Sequence, residues 1–257
     1  VGDAPGSYAN GSGTNLVVGD RIGDAPESTA NSVSINMIPS NRISYPAGYV
    51  PTQVDNAFSM AFDGVNDYFN TGATPLQLGL PSTTVINSDF SISFWYYYNA
   101  TQDYDPILQA SVSATNGFGV WQSTTNTSSL NFWVGNYNSA SLYTTQLTSG
   151  TWYHIGCVFK GGTTHIQEVY VDGVLNNTVS YTTSRVIQSG ENCLIGGQTF
   201  NSRYFNGKLD EIAFFNYALS ERQIKQDIYN GTTTGKTADL NNISNLTAPI
   251  AWYRMGD

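Results

Sequence analysis

The chain is poor in charge. Asp, Glu, Lys and Arg make up 11% of its 257 residues, fewer than the 13% that are aromatic. That balance excludes charged amphipathic helices as the main building material and suits short strands that turn Ser, Thr and Asn to water. Cations are scarcest: 10 Lys and Arg stand against 19 Asp and Glu, a net charge of −9 and a pI near 4.4. Without clustered cations to neutralise phosphate, nucleic acid is excluded as a partner. Nor is there a basic amphipathic stretch for an anionic membrane surface. No apolar run reaches the roughly 18 residues of a membrane span, so no membrane insertion is expected. Zinc-ligand spacings and glycine-rich phosphate loops are missing, and only two histidines, His154 and His165, are available for catalysis. The two cysteines, Cys157 and Cys193, each sit in an apolar run. That pattern favours buried thiols, while a disulfide stays open if their strands are neighbours.

What is present is alternation. Phe58, Met60 and Phe62 alternate with Ser59, Ala61 and Asp63 up to Asp63-Gly64, and apolar residues restart at Tyr68 and Phe69. This reads as a strand, a tight turn and a second strand. Asp89–Tyr98 alternates Phe90, Ile92, Phe94 and Tyr96 with Ser91, Ser93, Trp95 and Tyr97, so both faces carry aromatics. A central strand covered on both sides, or a ligand-facing sheet, needs such a pattern. Strands are further predicted over 107–112, 117–123, 129–136, 141–146, 152–159, 166–171, 174–181, 193–196 and 209–215, with a hairpin turn at Asp172-Gly173. Ser220 with Gln223 forms a capping box, and Ile224 and Ile228 fall one turn apart, which predicts one short helix ending near Asn230-Gly231.

Three regions follow. Residues 1–55 are rich in Gly, Ala, Ser, Asn and Pro and repeat a short unit, GDAP-x-S-x-A-N. They form either a pair of turns bordering short strands at 15–18 and 32–37, or an extended arm lying on a neighbouring subunit. Residues 56–230 are the strand-rich domain. Residues 231–257 are a tail ending in a strand at 249–255, placed beside the N-terminal strand at the sheet edge by pairing within the chain or, alternatively, with a neighbouring subunit. Beginning at Val1 and stopping at Asp257, the chain reads as a processed product or a piece of something longer.

Five blocks carry a family resemblance, in the family's order: FDGVNDYF at 62–69, FSISFW at 90–95, WYHIGCV at 152–158, VYVDGV at 169–174, and GKLDEI at 207–212 with NYALS at 216–220. They resemble LamG-like domains, the concanavalin A-like lectin and glucanase sandwiches. The resemblance implies an all-β, two-sheet antiparallel jelly roll with one short C-terminal helix and flanking extensions. The closing AWYRMGD resembles a strand found beside such domains in some marine phage structural proteins.

The same fold hosts glycoside hydrolases, which need paired carboxyls about 5 Å apart for retention. No Glu-x-Asp-x-x-Glu strand is present. Asp210 and Glu211 are adjacent, so a strand would send them to opposite faces, and Asp103 and Asp105 lie in a predicted loop. The expectation is therefore a non-catalytic protein. His154, opposite the apolar side of its strand, is assigned a structural hydrogen bond. By resemblance, one structural calcium at the rim would take Asp63 and Asp210 as ligands; the alternative has each aspartate capping local backbone. Asp103, Tyr104, Trp121 and Tyr137, with Asp105 and Trp133, would supply a glycan platform, against the alternative that Trp121 and Trp133 are core. The resulting expectation is a virion-surface structural or adhesion protein, a phage tail, fibre or head decoration, with a glycan-binding module and homo-oligomeric assembly through its terminal arms. A secreted or cell-surface bacterial carbohydrate-binding or adhesion domain, cut from a larger chain, is the alternative, and a glycoside hydrolase with an unrecognised site is the third reading.

Overall fold

The computed structural model describes residues 28–29, 54–55, 59–80, 88–99, 104–110, 115–123, 128–137, 141–183, 187, 190–198, 201–229, 236–237 and 239–255. The strands expected at 15–18 and 32–37, and most of the 1–55 arm, lie outside the described residues.

In chain order the strands are β1 (Ser28–Thr29), β2 (Val54–Asp55), β3 (Met60–Asp63), β4 (Phe69–Asn70), β5 (Phe90–Tyr98) and β6 (Asp105–Ala110). They continue with β7 (Thr115–Ser123), β8 (Ser129–Asn136), β9 (Ser141–Tyr143), β10 (Tyr153–Lys160), β11 (His165–Val171) and β12 (Val174–Tyr181). Short strands β13 (Leu194–Ile195), β14 (Gly197–Gln198) and β15 (Arg203–Tyr204) precede β16 (Asn206–Phe215), a short helix (Gln223–Tyr229), β17 (Lys236–Thr237) and β18 (Ala251–Tyr253). One sheet runs β1-β3-β16-β5-β10-β11-β12, with β18 also on β16; the second runs β4-β13-β6-β7-β8-β9. All pairs are antiparallel except β1 with β3. The all-β, two-sheet jelly-roll sandwich is what the alternation and the resemblance imply.

Alternation decides what is inside. On β5, Phe90, Ile92, Phe94, Tyr96 and Tyr98 all face the space between the sheets, together with Phe118, Val120, Phe132 and Val134 from the other sheet. Phe90 anchors this layer, stacked on Phe159 and edge-on to Phe118 and Phe132. Burying each such ring stabilises the fold by about 1.5–3 kcal/mol. Cys157 and Cys193 are both buried as free thiols, and burial raises the pKa of each. Along one side the sheets are tied by Asn176 and Asn177, whose side chains bond Thr145 and the Tyr143 carbonyl.

The second face of β5 is covered too, as the expectation of a doubly covered strand requires. Ile224 and Ile228 of the helix pack with Val158, Tyr170, Ala213, Phe215 and Leu219. Gly156 leaves them room, since a Cβ there would stand 3.3 Å from Ile224. Ser91 receives the Leu219 N–H at 2.8 Å and donates to the Tyr217 carbonyl at 2.9 Å, pinning the incoming loop. The capping box forms: Gln223 Oε1 accepts from the Ser220 N–H at 2.9 Å, and Ser220 Oγ accepts from the Gln223 N–H at 3.3 Å. The helix is π-type, a difference from the α-helical expectation. A π turn, closed i→i+5, rotates less per residue than an α turn and keeps Tyr229 nearer the face of Ile224. Tyr229 thereby reaches Trp95 and His154, at ring centroid distances of 6.0 and 5.9 Å.

The C-terminal strand pairs within the chain. Ala251–Tyr253 binds Phe214–Ile212 of β16, while β3 binds the first half of the same strand, Asn206–Leu209. It therefore lies in line with β3 along one edge of β16, not hydrogen-bonded beside it as expected.

Candidate ligand-binding site

The register of β6, β7, β8 and β9 builds an aromatic cluster on the outer face of the six-stranded sheet. Phe118, Val120, Phe132 and Val134 point inward, so Gly119, Trp121 and Trp133 must point out. Gly119 lies between Gln109 and Trp133 across the strands, and Trp121 pairs with Asn131, itself opposite Tyr143. Gly119 makes the arrangement possible: a Cβ there would come within 2.6 Å of Trp133 Nε1 and 2.9 Å of Trp121 Nε1. Both indole N–H groups thus converge over one glycine. Trp121 and Trp133 retain 5% and 0% of their exposure, yet neither N–H has an acceptor. An unsatisfied buried donor costs roughly 1–3 kcal/mol, so two side by side call for an acceptor that the described residues do not supply.

Three of the residues expected to hold a ligand meet here. Tyr137, in the turn after β8, stacks on Trp121 with centroids 4.9 Å apart, and Trp133 meets both edge-on. Tyr104, at φ +60°, stands edge-on to Trp121 and Tyr137 at 6.4 and 5.9 Å. Burial, and the neighbouring Tyr143 and Tyr104 hydroxyls, raise the Tyr137 pKa, so its hydroxyl stays protonated. Asp103 lies outside the described residues. The alternative that Trp121 and Trp133 are core is half right: both are buried, but neither joins the clusters between or behind the sheets. A residue that the sequence reading missed completes the group. The Arg203 guanidinium sits over the Tyr104 ring, 5.0 Å from its centroid. An arginine beside a tyrosine, in a chain with only 10 Lys and Arg, was the available signal.

Asp63 and Asp210 are not brought together. Asp63 pairs with Asn206 on β16, four residues before Asp210. At about 3.3 Å per residue this separates them by roughly 13 Å, too far for one calcium with ligands at about 2.3–2.6 Å. Each carboxylate has local work: Asp63 Oδ1 accepts from the Val65 N–H, and Asp210 Oδ1 from the Glu211 N–H, both at 2.8 Å. Asp63 has a second carboxylate beside it. Asp67 accepts the Asp63 N–H at 3.1 Å, and its pKa is raised, by burial first and by the Asp63 charge as well.

Other groups with catalytic chemistry are occupied structurally. Glu168 pairs with Lys160 at 2.6 Å and accepts from Tyr170. Asp172, at the hairpin turn, accepts the His154 N–H at 2.8 Å. Asp210 and Glu211 do not alternate as in a regular strand. A bulge between Asp210 and Ala213 puts Glu211 at φ +51° and leaves both buried.

His154 does make a structural hydrogen bond: its Nε2 lies 2.8 Å from Ser93 Oγ. A serine and a histidine at this distance resemble a nucleophile and its base, but both are 1% exposed and His154 Nδ1 has no orienting partner. Burial lowers the His154 pKa to about 3 from 6.5. The unfolded chain then binds the extra proton, so stability is full above pH 6.5 and falls as pH drops toward 3. Denaturant melts should show about 2 kcal/mol less stability at pH 5 than at pH 7 from this group. His154→Gln should remove that increment; an identical pH dependence in the variant would refute the assignment.

Comparison with known proteins agrees with this architecture. The family model of the concanavalin A-like lectin/glucanases superfamily matches residues 63–225. Among curated proteins, no sequence matches the chain. A putative carbohydrate-binding protein of Bacteroides ovatus superposes with a TM-score of 0.53 at 17% identity, over 82% of this chain and 57% of its own. The chain thus spans little more than half of that protein. The CBM40 of the Ruminococcus gnavus IT-sialidase, solved with α2,3-sialyllactose, superposes with a TM-score of 0.51 at 12% identity, over 65% of this chain and 94% of the module. With the family model spanning well over half its length, the chain belongs to the concanavalin A-like lectin/glucanase superfamily.

Proposed function

We propose that the protein is a non-catalytic glycan-binding module whose site is the aromatic cluster of Tyr104, Trp121, Trp133 and Tyr137. The observation that carries this reading is the pair of buried, unanswered indole N–H groups beneath a stacked tyrosine. Sugar rings present apolar C–H faces to aromatic rings and acceptor oxygens to donors; here the half-buried Tyr104 and Tyr137 supply rings, with the two buried indole donors beneath them. The fold shared with a putative carbohydrate-binding protein and a sialyllactose-bound module supports the same reading. On a glycan array, Tyr137→Ala should weaken the wild-type ligand about thirtyfold, some 2 kcal/mol. Trp121→Phe, which keeps a ring and loses the N–H, should also weaken it. Unchanged binding in both variants, with unchanged melting curves, would reject the site.

We place this module on the outside of a virion, within a tail, fibre or head decoration that assembles as a homo-oligomer. The support is the resemblance of AWYRMGD and of the GDAP repeat to phage structural proteins. A secreted or cell-surface bacterial adhesion domain is the second reading. Antibody labelling of purified virions separates them, since a cell-surface protein leaves virions unlabelled.

Calcium enters the proposal at the Asp63 turn alone, where Asp67 adds a second carboxylate. Added calcium should raise the melting temperature and Asp63→Asn should abolish the rise. Identical curves with calcium and with chelator would remove the ion from the account.

A further inference from the structure

We propose that Arg203 makes this site selective for anionic sugars, an inference that rests on the glycan reading above. The cations of the chain are few, and three of those described answer a carboxylate. Lys160 pairs with Glu168 at 2.6 Å, Arg222 with Asp227 at 3.3 Å and Arg254 with Glu211 at 3.5 Å. Arg203 has no carboxylate partner among the described residues; its guanidinium lies over an aromatic ring. That ring, Tyr104, is in edge contact with Trp121 and Tyr137, so the cation borders the proposed platform.

Stacking on a ring occupies the guanidinium faces and leaves its N–H edge available, and that edge matches a carboxylate or sulfate with paired donors. The nitrogen donors of the cluster point the same way. Arginine and tryptophan donate and cannot accept, so Arg203, Trp121 and Trp133 all call for acceptor atoms on the ligand. Asn131 stands opposite Trp121 and gives its Nδ2 to Ser141, which leaves its Oδ1 to take a sugar hydroxyl. Anionic groups beside a ring of hydroxyls satisfy this set. In a chain of net charge −9 the surroundings do not attract such a ligand, which leaves the selectivity to Arg203, the one cation at the cluster among the described residues.

Calorimetric titration with three oligosaccharides of galactose configuration tests the idea: oligogalacturonate, a sulfated galactan oligomer and the same galactan oligomer without sulfate. At least one acidic oligomer should bind more tightly than the neutral one, more weakly as salt rises. Arg203→Gln should cost that oligomer about tenfold or more in affinity and leave the melting temperature in place. Arg203→Lys should recover part of the loss with a sulfate ligand and less with a carboxylate, whose two oxygens need the fork. Comparing the two acidic oligomers tells which group is read. Equal affinity for the neutral oligomer, an unaffected Arg203→Gln variant, or no binding of either acidic oligomer would overturn the proposal. Glycan binding itself fails separately, if a broad array finds no saccharide sensitive to Tyr137→Ala.

Discussion

Replacing Glu211 with alanine should cost about 3–5 kcal/mol of folding stability, the price of breaking a buried ion pair from one side. Glu211 is 4% exposed, and its carboxylate joins two residues of the C-terminal segment. One oxygen accepts the Trp252 indole N–H at 2.5 Å; the other lies 3.5 Å from Arg254 Nε, whose guanidinium also covers the Trp252 ring. Alanine would remove a carboxylate that faces a largely buried guanidinium and would leave an indole without its acceptor. It would also keep the left-handed backbone, at φ +51°, that a residue with a Cβ adopts reluctantly. Glu211→Gln retains an acceptor for Trp252 and should cost distinctly less. Denaturant midpoints for the two variants decide the matter: equal losses would show that the charge pairing contributes nothing.

Gly207→Ala should be at least as damaging, by about 3 kcal/mol or more. A Cβ at this position would fall 2.2 Å from the Tyr97 carbonyl oxygen and 2.4 Å from the Phe205 ring. The first of these is backbone in a central strand and cannot rotate aside; overpacking of that kind forces strands apart. Gly207 sits where β16 is paired on both edges, with Phe62 of β3 and Tyr98 of β5, so neither neighbour can give without losing ladder bonds. A variant that expresses, melts within a few degrees of wild type and keeps its circular dichroism would refute the steric reading.

These two positions explain why the block GKLDEI is recognisable at all. Its glycine lets three strands close up, its aspartate caps the backbone at a bulge, and its glutamate fastens a distant segment. The sequence discloses the block but not that division of labour. Long alternating strands were legible because period two is visible over eight or nine residues: 129–136 and 174–181 appear with the predicted bounds. Strands of two residues, such as Gly197–Gln198 and Arg203–Tyr204, carry no period. The aromatic residues of the candidate site could be named singly, since Trp121 and Tyr137 stand out in a polar stretch. Their meeting over Gly119 depends on cross-strand register, which a single sequence does not encode visibly. The same dependence separates Asp63 from Asp210, which adjoin the same strand pair at different heights. Arg203 was missed because its partner is a ring and not a charge.

The sharing of β16 by β3 and β18 has a kinetic consequence. During synthesis, the Ile212–Phe214 edge of β16 can already be paired with β5 on one side while its second edge waits for Ala251–Tyr253. At roughly 5–20 residues per second, the intervening forty or so residues leave that edge bare for a few seconds on the ribosome. A second nascent chain close by would present the same bare edge and, soon after, the same closing strand. Exchange of that strand between chains needs no new contact, only a different order of arrival.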